Sequence, residues 1–372
     1  MKGKILDDFR IQASLPVIRF LKMNGAIIVV AAHRGRPHGK IIPGLSMRKV
    51  ALKLAEKSRM KLHFVDIPPS PTLTGLVKTY YKPSTLLFLE NIRFWKGEER
   101  NSRVFVKNLA SLGEVYVNDA FGDCHREHAS IVGIPRFLPS FAGLELRQEV
   151  KMLGRLHRNV SRPFIFIMGG GKVASKISLL AYALTMADHV LVGGALANSL
   201  LHAKGLAIGK SYVEEEALTL VQKIELTSSK LHLPLDVIVA KSPQGRMKVR
   251  PVGKIFSKER IYDVGPDTIK LFSRVIREAK TIVWNGPLGL IEIPSFCKAT
   301  DEIARAVAAQ RCLGIIGGGE TVARVRKLGL ERKVTFLSAG GGAMVEFLVK
   351  RTLPGLEALS RANAKFKVQN SK

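Results

Sequence analysis

The second half of the chain repeats one pattern five times: a short apolar run ends in glycines, and a stretch of helical period follows. It occurs at Met168-Gly169-Gly170-Gly171-Lys172, Val192-Gly193-Gly194-Ala195, Trp284-Asn285-Gly286-Pro287, Ile316-Gly317-Gly318-Gly319-Glu320 and Ser338-Ala339-Gly340-Gly341-Gly342. Continuous apolar runs are what strands buried on both faces require. Alternation of such strands with helices argues for parallel sheets covered by helices. A parallel sheet gathers these turns along its carboxyl edge, where open α/β sheets bind ligands. Glycines let backbone N–H groups approach phosphate oxygens, and a helix N-terminus adds a favourable dipole. One such turn is an ordinary tight turn. Five in one half point to nucleotide phosphates. Lys172 and Lys176, four residues apart, share one face of a new helix and suit phosphate neutralisation.

Strands are expected at 26–31, 62–66, 85–89, 114–118, 164–168, 188–192, 236–240, 280–284, 314–316 and 334–338. Helices are expected at 9–23, 105–112, 173–187, 213–227, 267–279 and 300–309. The best candidate domain boundary is the basic segment 154–162. A dinucleotide GxGxxG between strand and helix is absent. Gly205-Leu206-Ala207-Ile208-Gly209-Lys210-Ser211 is one residue short of a Walker A loop and follows a helix, so it reads as a helix end and turn.

The first half places basic residues immediately after strands. His33-Arg34-Gly35-Arg36 follows the first, Arg93 follows the third, and His125-Arg126 follows the fourth. If the strands are parallel, His33, Arg36, Arg93 and Arg126 gather at one edge. Guanidinium groups bind phosphate and carboxylate through paired hydrogen bonds, which suits a small, highly anionic substrate. Phosphoryl transfer between such a substrate and a nucleotide is the natural chemistry, since it depends on positioning and charge neutralisation.

Composition narrows the alternatives. A chain of 372 residues suits two domains of ordinary size. Lys and Arg total 59 against 30 Asp and Glu. Such an excess can mark a nucleic-acid binder, but the basic residues are scattered and lack the aromatic platforms of single-strand binders. No specific nucleic-acid partner is expected. No apolar run is long enough to span a membrane, and the start has no signal-peptide core. Three cysteines without a CxxC pair fit a reducing cytoplasm.

Along nearly its whole length the chain resembles phosphoglycerate kinase. The matching stretches are RIQASLPVI (10–18), HRGRP (33–37), LENIRF (89–94), VYVNDAFGDCHREH (115–128), RPFIFIMGGGKVASK (162–176), LPLD (233–236), DVGP (263–266), TIVWNGPLGLIE (281–292), IIGGGET (315–321) and SAGGGAMVEF (338–347), with LPGLEAL (353–359) near the end. The resemblance implies two Rossmann-like α/β domains with parallel sheets, joined by a hinge. Residues 1–155 would bind 3-phosphoglycerate, residues 156–350 would bind nucleotide, and the tail 351–372 would pack back on the first domain. The implied activity is reversible transfer between 1,3-bisphosphoglycerate with ADP and 3-phosphoglycerate with ATP, using Mg²⁺, in a cytoplasmic monomer of glycolysis.

Carried over by motif, Arg10, His33, Arg34, Gly35, Arg36, Arg93 and Arg126 would bind the phosphoglycerate. Arg10 and Lys172 would stabilise the transferring group. Gly170, Gly171, Lys172, Lys176, Gly194, Ala195, Leu196, Asn285, Pro287, Glu292, Gly318, Gly319, Glu320 and Thr321 would bind nucleotide, and Glu320 would hold the metal. The sequence departs from the family at Glu320, where Asp is usual, and at Ser175, Ala195 and Ala339. The family also begins with a strand that precedes the residues matching Gly3–Arg10. That strand is missing here, so the natural start is expected upstream of Met1. The alternative reading is a catalytically impaired nucleotide-binding relative.

Overall fold

The structure is a computed structural model that describes residues 5, 7–79, 82, 85–158 and 160–370, with backbone alone at 78 and 365–370. Residues 1–4, with Met1, and position 159 of the expected boundary segment lie outside the described residues. The chain forms two compact units, Met1–Lys151 with Thr352–Lys372, and Met152–Arg351.

In the first unit, β1 (Ile28–Val30), β2 (Lys61–Val65) and β3 (Thr85–Leu89) form a parallel sheet in the order β1-β3-β2. β3 shows why its run is continuously apolar. Leu86 and Phe88 face a cluster with Ile11, Leu15 and Ile18 of the helix Phe9–Met23. Leu87 and Leu89 face the opposite cluster, with Leu73, Val77, Phe105 and Leu109. Helices thus cover both faces. β4 (Tyr116–Asn118) pairs with β5 (Ser140–Ala142) in a separate parallel pair. Val117 packs into the same cluster as Val30, and Tyr116 into the same cluster as Val29. β4 thus continues the layer of β1, although no ladder joins the two among the described residues. The closing helix Pro354–Asn370 also belongs to this unit, and Gly355 N–H donates to Cys124 O at 2.8 Å.

The second unit is built on a six-stranded sheet. β6 (Phe164–Met168), β7 (His189–Val192), β8 (Leu231–His232), β12 (Thr281–Asn285), β13 (Leu313–Gly317) and β14 (Phe336–Leu337) lie parallel in the order β14-β13-β12-β6-β7-β8. β6 and β12 are wholly buried, and the largest fully buried side chain, Trp284, is on β12. One expectation is corrected. The strand at 236–240 does not join the parallel sheet. As β9 (Asp236–Ala240) it is the centre of an antiparallel sheet, between β10 (Lys248–Pro251) and β11 (Arg260–Val264). The sixth parallel strand is the two-residue β8. The helix expected at 213–227 is confined to Glu215–Val221, because Glu225 and the polar stretch after it form turns instead. Gly205 ends the helix Gly194–Ala203 at φ +73°, the turn expected at the Walker-like segment.

β9 also shows how helix ends are held. Its first residue, Asp236, is buried and accepts from Thr268 N at 2.8 Å and Asp267 N at 3.2 Å, at the start of the helix Pro266–Arg277. Asp236→Ala would leave those donors unpaired and remove the favourable charge at the helix N-terminus. A loss of about 2–3 kcal/mol is expected in chemical denaturation, with the fold retained.

Candidate active site

The chain order of the six-stranded sheet creates a switch point. β6 leads outward to β7 on one side, and the chain returns to β12 on the other. Ligands of open α/β sheets bind in such a crevice, at the carboxyl ends of the strands. Here those ends are Met168-Gly169-Gly170 and Asn285-Gly286-Pro287. The two turns touch backbone to backbone. A Cβ on Gly169 would lie 2.0 Å from Pro287 O, and one on Gly286 would lie 2.2 Å from Gly169 O. Gly194, after β7, closes in from the side, its added Cβ 2.6 Å from Gly170 N. No side chain fits at these positions, and Gly170, Gly194 and Gly286 also have positive φ.

Lys176 reaches into this crevice. Its Nζ donates to Gly169 O, with Asn285 O at 3.5 Å. Burial pushes the ammonium down to about 8; Glu320 partly offsets this, and Lys172 adds to it. The group is therefore mainly charged at pH 7. Asn285 Nδ2 and Thr321 Oγ1, both buried, have no hydrogen-bond partner among the described residues. Both lie within 4 Å of where a Cβ on Gly318 would stand, 3.8 and 3.7 Å away. Two unsatisfied polar groups beside a glycine turn suit phosphate oxygens.

The other candidates of this unit, Glu292 apart, follow the carboxyl ends of β6, β7, β12 and β13. Gly171, Lys172, Gly319, Glu320 and Glu292 are exposed; Gly194 and Ala195 are half-buried at the start of the helix Gly194–Ala203. Leu196 and Pro287 are buried beneath the edge. Glu214, which the sequence did not single out, accepts from Val173 N and Ala174 N at the start of the helix Ala174–Met186. The carboxylate of Glu320 is at the start of the helix Gly319–Lys327. Among the described residues no group of three or more His, Cys, Asp or Glu could hold a metal ion. A single carboxylate suits a hard cation whose remaining ligands are phosphate oxygens and water.

In the first unit, three of the four strand-end basic residues converge on one carboxylate. Arg93 Nη2 donates to Asp123 Oδ1 at 2.9 Å, His33 Nδ1 lies 3.5 Å from Oδ2, and Arg126 Nε lies 3.6 Å from Oδ1. Arg93 is buried, and its Nη1 donates to Gly35 O at 3.2 Å. Arg34 and Arg36 are exposed on the loop after β1, and Arg10 is exposed at the start of the helix Phe9–Met23. Burial pushes His33 down to about 4, although Asp123 opposes the shift. At neutral pH His33 is an uncharged hydrogen-bonding group, and the positive charge comes from the arginines.

This arrangement is held from behind. Asn91 Nδ2 donates to Arg34 O at 2.8 Å and Leu45 O at 2.9 Å, so the end of β3 fixes the loop after β1. Glu90 accepts from Ser46 Oγ at 2.6 Å and Met47 N at 2.7 Å. Glu98 accepts from Ser130 Oγ at 2.6 Å and Ser130 N at 3.1 Å, and His128 lies 3.8 Å away. Asp123 and Glu98 were missed in the sequence. Asp123 sits inside the motif that carries Arg126, but an acid there gave no sign of which cations it meets.

With both sites described, the whole chain can be set beside known proteins. A family model described as phosphoglycerate kinase matches residues 1–351. The chain belongs to the phosphoglycerate kinase family. It is 40% identical over 364 residues to phosphoglycerate kinase of Moorella thermoacetica, covering 96% of this chain and 92% of that one. It is 40% identical over 374 residues to phosphoglycerate kinase of Chloroflexus aggregans, covering 97% and 93%. Among solved structures, phosphoglycerate kinase from Pyrococcus horikoshii aligns with a TM-score of 0.87 at 29% identity, over 98% of this chain and 94% of that chain. The enzyme from Coxiella burnetii aligns at 0.78 with 35% identity, over 97% and 93%.

Two substitutions test how these phosphoglycerate kinase sites are built. Gly286→Ala meets both Gly169 O and Lys176 Nζ at a backbone φ of +97°. It should cost at least about 1 kcal/mol in thermal or chemical unfolding and weaken ADP binding in calorimetry. Glu98 is pushed up to about 7 by burial, against hydrogen bonds from Ser130 that pull it down. A raised carboxyl pKa adds no cost at acid pH, below the unfolded value; the destabilisation builds from about 4.5 to about 7 and is level above that. The melting temperature of Glu98→Gln minus that of wild type should therefore increase from pH 5 to pH 8. A flat difference would exclude a raised pKa for Glu98.

Proposed function

We propose that the chain catalyses the reversible transfer of a phosphoryl group between 1,3-bisphosphoglycerate with ADP and 3-phosphoglycerate with ATP, the glycolytic reaction of a phosphotransferase with a carboxyl acceptor. The observation that carries this reading is the switch-point crevice, where glycine turns and the Lys176 ammonium meet two unsatisfied polar groups. The first unit supplies the complementary chemistry, a cluster of arginines suited to a small polyanion.

In this reading 3-phosphoglycerate is held by His33, Arg34, Gly35, Arg36, Arg93 and Arg126. The nucleotide lies along Gly170–Lys172, Gly194–Leu196, Asn285, Pro287, Glu292 and Gly318–Thr321. Lys176 holds the turns Gly169 and Asn285 in place while presenting positive charge to the phosphates. Mg²⁺, which would supply charge neutralisation on the phosphates, would be held by Glu320. The extra methylene of Glu320 relative to Asp is accommodated by its exposed position at the helix start. Arg10 and Lys172 are exposed cations on flexible side chains. They suit groups that gather round the transferring phosphoryl as charge develops. No covalent nucleophile is required. A hinge-bending motion that excludes water belongs to the same reading. The enzyme acts as a cytoplasmic monomer; none of the described helices is long and apolar enough to cross a membrane.

ATP-dependent formation of 1,3-bisphosphoglycerate from 3-phosphoglycerate, followed through a coupled dehydrogenase, tests the reaction directly. Lys172→Ala should lower kcat by 100-fold or more, on the order expected for a group acting mainly in the transition state, with little change in KM for ATP. A complete absence of turnover in the unaltered chain, with nucleotide binding intact, would overturn the assignment.

A further inference from the structure

Asp123 is a carboxylate at the centre of a site read as an anion site. It follows β4 on the one-turn helix Phe121–Asp123, and its backbone is fixed at both ends. Its N–H donates to Ala120 O, and its carbonyl accepts from Arg126 N, both at 2.9 Å. The side chain therefore cannot leave without a torsional change of its own. Its two oxygens are shared among Arg93, His33 and Arg126, three of the groups assigned to the substrate. It remains partly accessible, with 21% of its side chain exposed, whereas Arg93 beneath it has 5%. Arg93 Nη1 donates to Gly35 O and Nη2 to Asp123, while its Nε, also buried, has no hydrogen-bond partner among the described residues. Nη2 is the guanidinium nitrogen that meets Asp123, so a ligand oxygen that pairs with it competes with the Asp123 carboxylate.

We propose that Asp123 is an internal counter-anion that 3-phosphoglycerate must displace from Arg93 and Arg126, so that this residue sets the affinity and the minimum charge of the ligand the pocket accepts. The inference rests on the assignment of these residues to phosphoglycerate binding. A ligand carrying both a phosphate and a carboxylate can replace the lost ion pairs with stronger, paired ones. A singly charged acid cannot, because it gains no more from the arginines than Asp123 already provides. His33, uncharged at neutral pH, follows whichever oxygen is present.

The opposite role is equally definite: Asp123 could orient Arg93 for the substrate, as an acidic partner orients a binding arginine. The two roles predict opposite signs. Asp123→Asn keeps the shape and one acceptor oxygen but removes the charge. If Asp123 competes, KM and the calorimetric Kd for 3-phosphoglycerate should fall roughly tenfold, the scale of removing one nearby unit charge from a half-buried anion site. KM for ATP should not move. Asp123→Ser, which removes both charge and reach, should give the same direction. An unchanged or raised KM for 3-phosphoglycerate in both folded variants would overturn the proposal. Arg36→Ala, measured alongside, separates the two levels. A raised KM there with no gain in the Asp123 variants rejects the counter-anion alone. No effect of Arg36→Ala rejects the underlying assignment, and the counter-anion with it.

Discussion

The contact on which the second unit depends is backbone against backbone, where the turn after β6 meets the turn after β12. Parallel strands lie at a fixed spacing, so their carboxyl ends can converge only if nothing projects between them. Gly169, Gly170, Gly286 and Gly194 leave that space open, and the Lys176 ammonium fills it from below. The turn after β13 lies beside this crevice, and with it the unsatisfied Asn285 and Thr321 groups. The ammonium lies against two carbonyls, Gly169 O and Asn285 O, and the second also accepts from Gly169 N at 3.1 Å. Lys176 is thus both a strut of the crevice and a cation at its surface.

The first unit uses the reverse device. Its edge is held by carboxylates that accept from neighbouring loops: Glu90 from Ser46 and Met47, Glu98 from Ser130, Asp119 from Glu145 and Leu146. This bears on the basic excess of the chain. Among the described residues Glu90, Glu98, Glu149, Asp236, Glu259 and Asp263 are buried, whereas the buried basic group is Arg93. Acids are therefore drawn inward to hold loops and helix ends, and the exposed surface is more basic than the overall composition. The remaining cations are spread over many elements, which suits a solvated surface.

The parts legible in the sequence are those whose chemistry is local. β3 and β6 are readable because both of their faces are buried, so every residue but Thr85 is apolar. The glycine turns are readable because close approach admits no other residue. β10 is not readable: Lys248–Pro251 is largely exposed and polar, and it becomes a strand only by pairing with β9. β9 itself is apolar in sequence, but an apolar run does not say which sheet it joins. Spacing placed Lys172 and Lys176 on one helical face. It could not say that one ammonium is exposed while the other turns back onto carbonyls. Asp123 lay in view within the motif, but two of its three partners, His33 and Arg93, come from the ends of β1 and β3, far away along the chain.

The glycine crevice has a consequence for protein engineering. Its floor is made of main chain, which has no side chain to exchange, and a methyl group at Gly169, Gly194 or Gly286 would strike backbone atoms. The floor is therefore closed to residue-by-residue redesign. Any attempt to retune what the crevice accepts must work through the walls. Exposed Glu292 and half-buried Ala195 can change without moving a strand. In a mutational library, tolerance should divide along that line: a rigid, invariant bed beneath a rim that can be rewritten.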